Sequence, residues 1–131
     1  MNTSSVHLLV ELHGCDPHLL MDIDYMNELM EQAAHVAGAT IVAKTSHRYS
    51  PEGVCIVVVL EESHFSIHTW PEVGYAAVDF FTCGNCCPEQ AVPVLNAGLR
   101  ASRAETLRVL RGQCNQVPSA FVADDNFSNI K

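Results

Sequence analysis

Basic residues are scarce. Seven lysines and arginines stand against fifteen aspartates and glutamates, a formal net charge of −8 in 131 residues. That balance disfavours a nucleic-acid phosphate backbone as the main partner. It suits a cationic small molecule better, because an acidic surface raises the local cation concentration. Long apolar runs are also absent, and none approaches the roughly 20 residues of a membrane span. The opening Met1-Asn2-Thr3-Ser4-Ser5 carries no basic stretch ahead of its first apolar residues, so no secretory signal is expected and the location is read as cytoplasmic. Without such a signal the six cysteines are read as reduced thiols rather than a disulfide framework. No internal repeat, low-complexity tract or linker divides the chain. One domain over residues 1–112 is expected, with a polar, aperiodic tail over 113–131.

A 48% hydrophobic content with 17% charged residues is globular. Residues 6–14 alternate Leu8, Val10 and Leu12 with His7, Glu11 and His13, a half-buried strand. Gly14-Cys15-Asp16-Pro17 ends it. A helix is expected from Leu19 or Asp24 to Ala37, with Ile23, Met26, Met30, Ala33 and Ala37 on one stripe and Gly38 just past its end. Residues 39–48 form a second strand, the turn Tyr49-Ser50-Pro51-Glu52-Gly53 reverses the chain, and Val54–Leu60 returns as a buried strand. After a polar segment, a strand from Tyr75, a helix over 88–100 and a last strand over 104–111 complete the order β-α-β-β-β-α-β. Pro93 should kink that second helix or make it start later. The fold class is α+β: a two-layer α/β sandwich, mainly antiparallel, with two helices on one face. The other sheet face is left for solvent or another subunit.

The densest chemistry lies between two of these strands, in Glu61-Glu62-Ser63-His64-Phe65-Ser66-Ile67-His68-Thr69-Trp70-Pro71-Glu72, read as a polar loop. Three readings of the residues themselves stay open. Ser63 caps a turn and the histidines are surface groups. A hydrolytic Ser/His site is allowed by spacing, although no Gly-x-Ser-x-Gly elbow is present. A zinc site would pair Cys83 and Cys86 of Cys83-Gly84-Asn85-Cys86-Cys87 with His64 and His68.

The block Glu62-Ser63-His64-Phe65-Ser66-Ile67-His68-Thr69-Trp70-Pro71-Glu72, followed by Gly74-Tyr75-Ala76-Ala77-Val78-Asp79 and Phe81-Thr82-Cys83-Gly84, resembles the prokaryotic S-adenosylmethionine decarboxylase proenzymes. Leu9-Val10-Glu11-Leu12, Gly14-Cys15-Asp16-Pro17 and Ser50-Pro51-x-Gly53 extend the likeness over residues 6 to 112. The resemblance implies a lyase that cuts itself between Glu62 and Ser63 into chains 1–62 and 63–131. Ser63 would become a covalent pyruvoyl group that forms a Schiff base with the substrate. His68 would handle protons during processing, and Cys83 would be the proton donor in decarboxylation. The backbone at 62–63 would be held strained.

By the same resemblance, Tyr49 and Trp70 would sandwich the adenine and Glu72 would hold the ribose hydroxyls. Cys55 stands where the family often carries a serine that assists cleavage, and a thiol is the weaker donor. No metal is implied, which sets the resemblance against the zinc reading. The implied partners are S-adenosylmethionine, the two cleavage chains with each other, and a second copy in a homodimer. The product would be the aminopropyl donor of spermidine and polyamine synthesis. The alternatives are a pyruvoyl decarboxylase of arginine or ornithine, a non-catalytic partner subunit, and a zinc-binding module.

Overall fold

The computed structural model describes residues 3–113. Six strands form one antiparallel sheet: β1 (Ser5–His13), β2 (Ile41–Arg48), β3 (Val54–Leu60), β4 (Ser63–Trp70), β5 (Tyr75–Thr82) and β6 (Arg103–Arg111). Their spatial order is β2-β3-β4-β5-β1-β6. Three α-helices accompany them: α1 (Pro17–Met21), α2 (Ile23–Val36) and α3 (Ala91–Gly98). The tail expected from residue 113 lies, from Cys114 onward, outside the described residues.

Alternation decides the two faces. Leu8, Val10 and Leu12 of β1, Ile56 and Val58 of β3, Phe65 and Ile67 of β4, and Val78 and Phe80 of β5 are buried beneath the helices. Met26, Met30, Ala33 and Leu95 close that core from the helix side. Phe65 and Phe80 meet at its centre with ring centroids 4.7 Å apart. Thr69, the buried polar residue of β4, donates from its hydroxyl to the Leu20 carbonyl at 2.9 Å and accepts from the Val54 amide at 2.9 Å. It therefore pins β4 to both α1 and β3.

The sheet face away from the helices carries Leu9, Val59 and Leu107, which are 39%, 43% and 56% exposed, beside a row of polar and aromatic side chains. This open face of a single chain is half apolar, as an internal face would be.

Two expectations are corrected and a third, the late start that Pro93 demands, is met. The segment after Glu62 is a strand, not a loop, which makes six strands where five were expected. Its alternation is complete: Phe65, Ile67 and Thr69 point inward, and His64, Ser66, His68 and Trp70 point outward. The first helix is two helices. Asp22, extended at φ −87° and ψ 96°, ends α1 and caps α2 by accepting from the Tyr25 amide at 3.1 Å. The last helix starts late. A 3₁₀ turn over Pro88–Gln90 precedes α3, so Pro93 falls in the first helical turn, where its missing N–H costs nothing. Gly38, at φ +83°, does stand just beyond α2 as a left-handed terminator.

Candidate active site

Strands β3 and β4 are joined by a two-residue loop, because Leu60 pairs with Ser63 across Glu61 and Glu62. Only the second loop residue, Glu62, has positive φ, at +64°. Tight hairpins favour turns with positive φ at their first loop residue, because those match the strand twist. A glutamate side chain in the left-handed region costs about 1–2 kcal/mol. The strain expected at 62–63 is therefore present, on the glutamate side of the bond.

Cys83 follows the last residue of β5 and reaches the same loop. Its thiol lies 2.8 Å from the Glu62 carbonyl oxygen and donates to it. The Ser63 hydroxyl is only loosely engaged, donating to the Glu61 carbonyl at 3.4 Å. One end of the sheet thus gathers a strained peptide, a hydroxyl and a thiol.

His68, Tyr49, Trp70, Cys55 and Glu72 lie at the other end. Five residues of strand place His68 about 17 Å from Ser63 within one chain. Cys55 is the direct cross-strand partner of His68, and His47 lies on its other side. The His68 imidazole lies between two parallel rings: Tyr49, with centroids 5.1 Å apart and planes 4° apart, and Trp70, at 4.2 Å and 9°. Tyr75 stacks on the far side of Trp70 at 5.1 Å, and His13 on Tyr75 at 5.3 Å. In this chain the space between Tyr49 and Trp70 is occupied by His68. Glu72 sits in a short 3₁₀ turn, Pro71–Val73, ended by Gly74 at φ +65°. A β-carbon on Gly74 would crowd the Cys15 carbonyl at 3.1 Å.

Between the two ends, a shallow depression of about 460 Å³ on the open face is lined by Glu11, Cys55, Ser66, His68, Trp70 and Asp79, among others. The Tyr75 hydroxyl donates to Glu11 at 2.5 Å. Burial, together with the adjacent Glu11 carboxylate, pushes the tyrosine up to about 12. Asp79 accepts from Ser66 and contacts His7 Nε2 at 2.7 Å and His64 Nε2 at 3.3 Å. Burial alone would raise its pKa, but these hydrogen bonds and the neighbouring imidazoles outweigh burial and hold it below its ordinary value.

The zinc grouping expected from spacing is not assembled. His64 and His68 are two strand repeats apart, and neither reaches Cys83 or Cys86, whose thiols face the Glu62 and Gly38 carbonyls. The grouping of His7, His64 and Asp79 had no counterpart in the sequence reading. Its signal was the outward alternation of β4, which becomes legible once that segment is read as a strand.

The S-adenosylmethionine decarboxylase family profile matches residues 6–112. The chain belongs to this family. Among its relatives, the S-adenosylmethionine decarboxylase proenzyme of Fervidobacterium nodosum is 45% identical over 118 residues, covering 89% of this chain and 86% of that protein. The proenzyme of Thermotoga petrophila is 43% identical, covering 89% and 91%. An archaeal proenzyme, from Methanococcus aeolicus, is 43% identical over 107 residues, covering 81% and 92%. The crystal structure of the adenosylmethionine decarboxylase from Aquifex aeolicus superposes with a TM-score of 0.75 at 30% identity, covering 88% of this chain and 100% of that one. Within this decarboxylase family frame, the two ends of the sheet carry the residues that the sequence resemblance singled out. Among the described residues, no helix is long and apolar enough to cross a membrane.

Proposed function

We propose that this chain is an S-adenosylmethionine decarboxylase that makes its own pyruvoyl group by cutting the Glu62–Ser63 bond. The observation that carries the reading is the Glu62 peptide, held left-handed with the Cys83 thiol on its carbonyl oxygen. A donor on that oxygen polarises the carbonyl and stabilises the charge that develops when Ser63 Oγ adds to the carbon. The C–N bond then breaks, leaving Glu62 esterified to Ser63 Oγ and freeing the Ser63 amine. Removal of the Ser63 Cα proton breaks the Ser63 Cβ–Oγ bond, expels the Glu62 carboxylate and leaves a dehydroalanine. Tautomerisation and hydrolysis of the resulting imine release ammonia and leave a ketone at residue 63. In the processed enzyme, a pyruvoyl group at residue 63 would supply a carbonyl for the substrate amine and an electron sink for decarboxylation. Cys83 then returns a proton to the substrate carbon.

His68 lies too far from Ser63 to serve it in the same chain. A two-fold homodimer resolves this. Stacking the open face on a second copy with strands reversed brings the Ser63 end of one chain to the His68 end of its partner. Each site is then composite: Ser63 and Cys83 from one copy, with His68, Cys55, Tyr49, Trp70 and Glu72 from the other. The half-apolar open face supports the same arrangement. In it His68 removes the serine Cα proton, Trp70 and Tyr49 offer ring surface to the purine and sulfonium, and Glu72 accepts from the ribose.

Intact mass tests the processing. The wild type should yield chains 1–62 and 63–131, and Ser63→Ala should stay whole; an uncut wild-type chain after long incubation overturns the reading. Carbon dioxide release should follow S-adenosylmethionine and not arginine or ornithine. Complementation tests the composite site. Ser63→Ala and His68→Ala are each expected to be inert alone, but co-expressed they form one intact site per mixed dimer. Cleavage of the His68→Ala chain only in the mixture is the expected result, and its absence excludes shared sites.

A further inference from the structure

The cluster of His7, His64 and Asp79 stands on three adjacent strands, β1, β4 and β5. His7 and His64 flank Phe81, each as its direct cross-strand partner, one on either side of β5. Asp79 precedes Phe81 by one strand repeat and so rises between them on the same face. Both imidazoles turn Nε2 toward one oxygen, Asp79 Oδ2, at 2.7 and 3.3 Å. All three donor atoms lie within 4.8 Å of one another. Ligands held about 2.0–2.1 Å from a common metal stand roughly 3–3.5 Å apart, so the cluster needs movements of only about an ångström to close on an ion. Ser66 fixes the remaining Asp79 oxygen, as an outer-shell donor does for a ligating carboxylate.

We propose that His7 Nε2, His64 Nε2 and Asp79 Oδ2 form a facial site for a divalent transition ion of the cobalt, nickel or zinc type. Two imidazoles and a carboxylate suit such borderline ions, and the three positions are set by sheet register rather than by loops. The chain's net charge of −8 favours cation uptake.

Arg111 opposes it. Its Nη1 lies 3.1 Å from His7 Nδ1, while its guanidinium carbon lies 4.9 Å above the Phe81 ring. Donation into Nδ1 keeps the His7 proton on Nε2, where it points at Asp79. For Nε2 to ligate, that proton must move to Nδ1, and Arg111 must turn away. The arginine is therefore a gate that sets how tightly the ion is held. His7 lies before residue 62 and the other two ligands after residue 63, so the ion would also join the segments that self-cleavage separates.

The test uses full-length Ser63→Ala precursor with Cys86→Ser and Cys87→Ser, so it depends neither on processing nor on the paired thiols. Cobalt(II) titration should give visible d–d bands saturating at one ion per chain. His7→Gln and Asp79→Asn should each weaken binding at least tenfold, while Arg111→Gln should strengthen it several-fold. Because Asp79→Asn also disturbs partly buried hydrogen bonds, His7→Gln and Arg111→Gln decide if that variant fails to fold. A near-ultraviolet thiolate-to-cobalt band, unchanged affinity in His7→Gln, or no bands at millimolar cobalt would each overturn the site, leaving the cluster a hydrogen-bond network.

Discussion

Relieving the strain at Glu62 should slow the reaction it serves. Glu62 adopts φ +64° in a two-residue hairpin loop, a conformation that costs an L-residue about 1–2 kcal/mol and glycine almost nothing. Glu62→Gly removes that cost from the precursor. Asn tolerates the left-handed region without glycine's freedom, so Glu62→Asn removes part of it. If strain is released as Ser63 attacks and the peptide plane is lost, cleavage of Glu62→Gly slows by about five- to thirtyfold, at 1.36 kcal/mol per tenfold. Glu62→Asn should fall between it and the wild type. Stability should move the other way. In a Ser63→Ala background, Glu62→Gly should gain up to about 1.6 kcal/mol, after its larger unfolded-state entropy takes back roughly 0.4–1 kcal/mol. That corresponds to a melting temperature higher by up to about 6 °C. Freshly translated precursor followed by intact mass gives the rates, and calorimetry of the uncut proteins gives the stabilities. If both variants cut at the wild-type rate, the strain plays no part. If they cut slowly without stabilising the precursor, added flexibility is the cause and the strain reading fails as well.

Other outcomes follow from individual contacts. Cys83→Ala should slow cleavage about tenfold by removing the donor from the Glu62 carbonyl, while abolishing carbon dioxide release; Cys83→Ser should restore much of the cleavage rate, as timed mass spectra would record. Asp79 has a lowered pKa in the fold, so its contribution to stability is present above the unfolded value of about 3.9 and is lost as pH falls through the folded one. Urea midpoints of Asp79→Asn should therefore fall less steeply below about pH 4 than those of the wild type. Burial pushes the Cys15 thiol up to about 11, whereas Cys87 is exposed. Iodoacetamide at pH 8 should label Cys87 and spare Cys15, and peptide mapping that finds both labelled at equal rates would contradict the burial of Cys15. Phe65→Ala should cost about 3–5 kcal/mol in urea unfolding, since it empties the centre of the core opposite Phe80.

Most of the scaffold was legible in the residues. Leu8, Val10 and Leu12, the apolar run Val54–Leu60 and the stripe through Met26 and Met30 mark strands and helix by period alone, because burial on one face imposes that period. The segment from Ser63 to Trp70 reads as a loop because its outward positions carry His64, Ser66, His68 and Trp70, whose chemistry masks the ordinary alternation with Phe65, Ile67 and Thr69. The residues that the family resemblance singles out can be named one at a time from the sequence, yet their distribution over the fold cannot. That Ser63 and His68 occupy opposite ends follows from the 3.3 Å rise of a strand, which a loop reading does not supply. His7, Asp79 and Arg111 come together only through the pairing of β1 with β5 and β6, contacts across about 70 to 100 residues that no local pattern encodes.

The order β2-β3-β4-β5-β1-β6 has a further consequence once the loop at Glu62 is cut. The front piece supplies β1, β2 and β3, and the rear piece β4, β5 and β6, so β1 is hydrogen-bonded on both sides by strands of the other piece. Each piece keeps one hairpin, β2-β3 or β4-β5, and its third strand pairs only with strands of the other piece. In the uncut chain the two halves are tethered, so their strands meet within one molecule. The product, once unfolded, must reassemble by collision of two chains, and its recovery should depend on how much of each is present. If the chain cuts itself as proposed, the cut would also remove the connectivity between the two halves of the sheet, and a processed enzyme would depend on a fold attained before the cut.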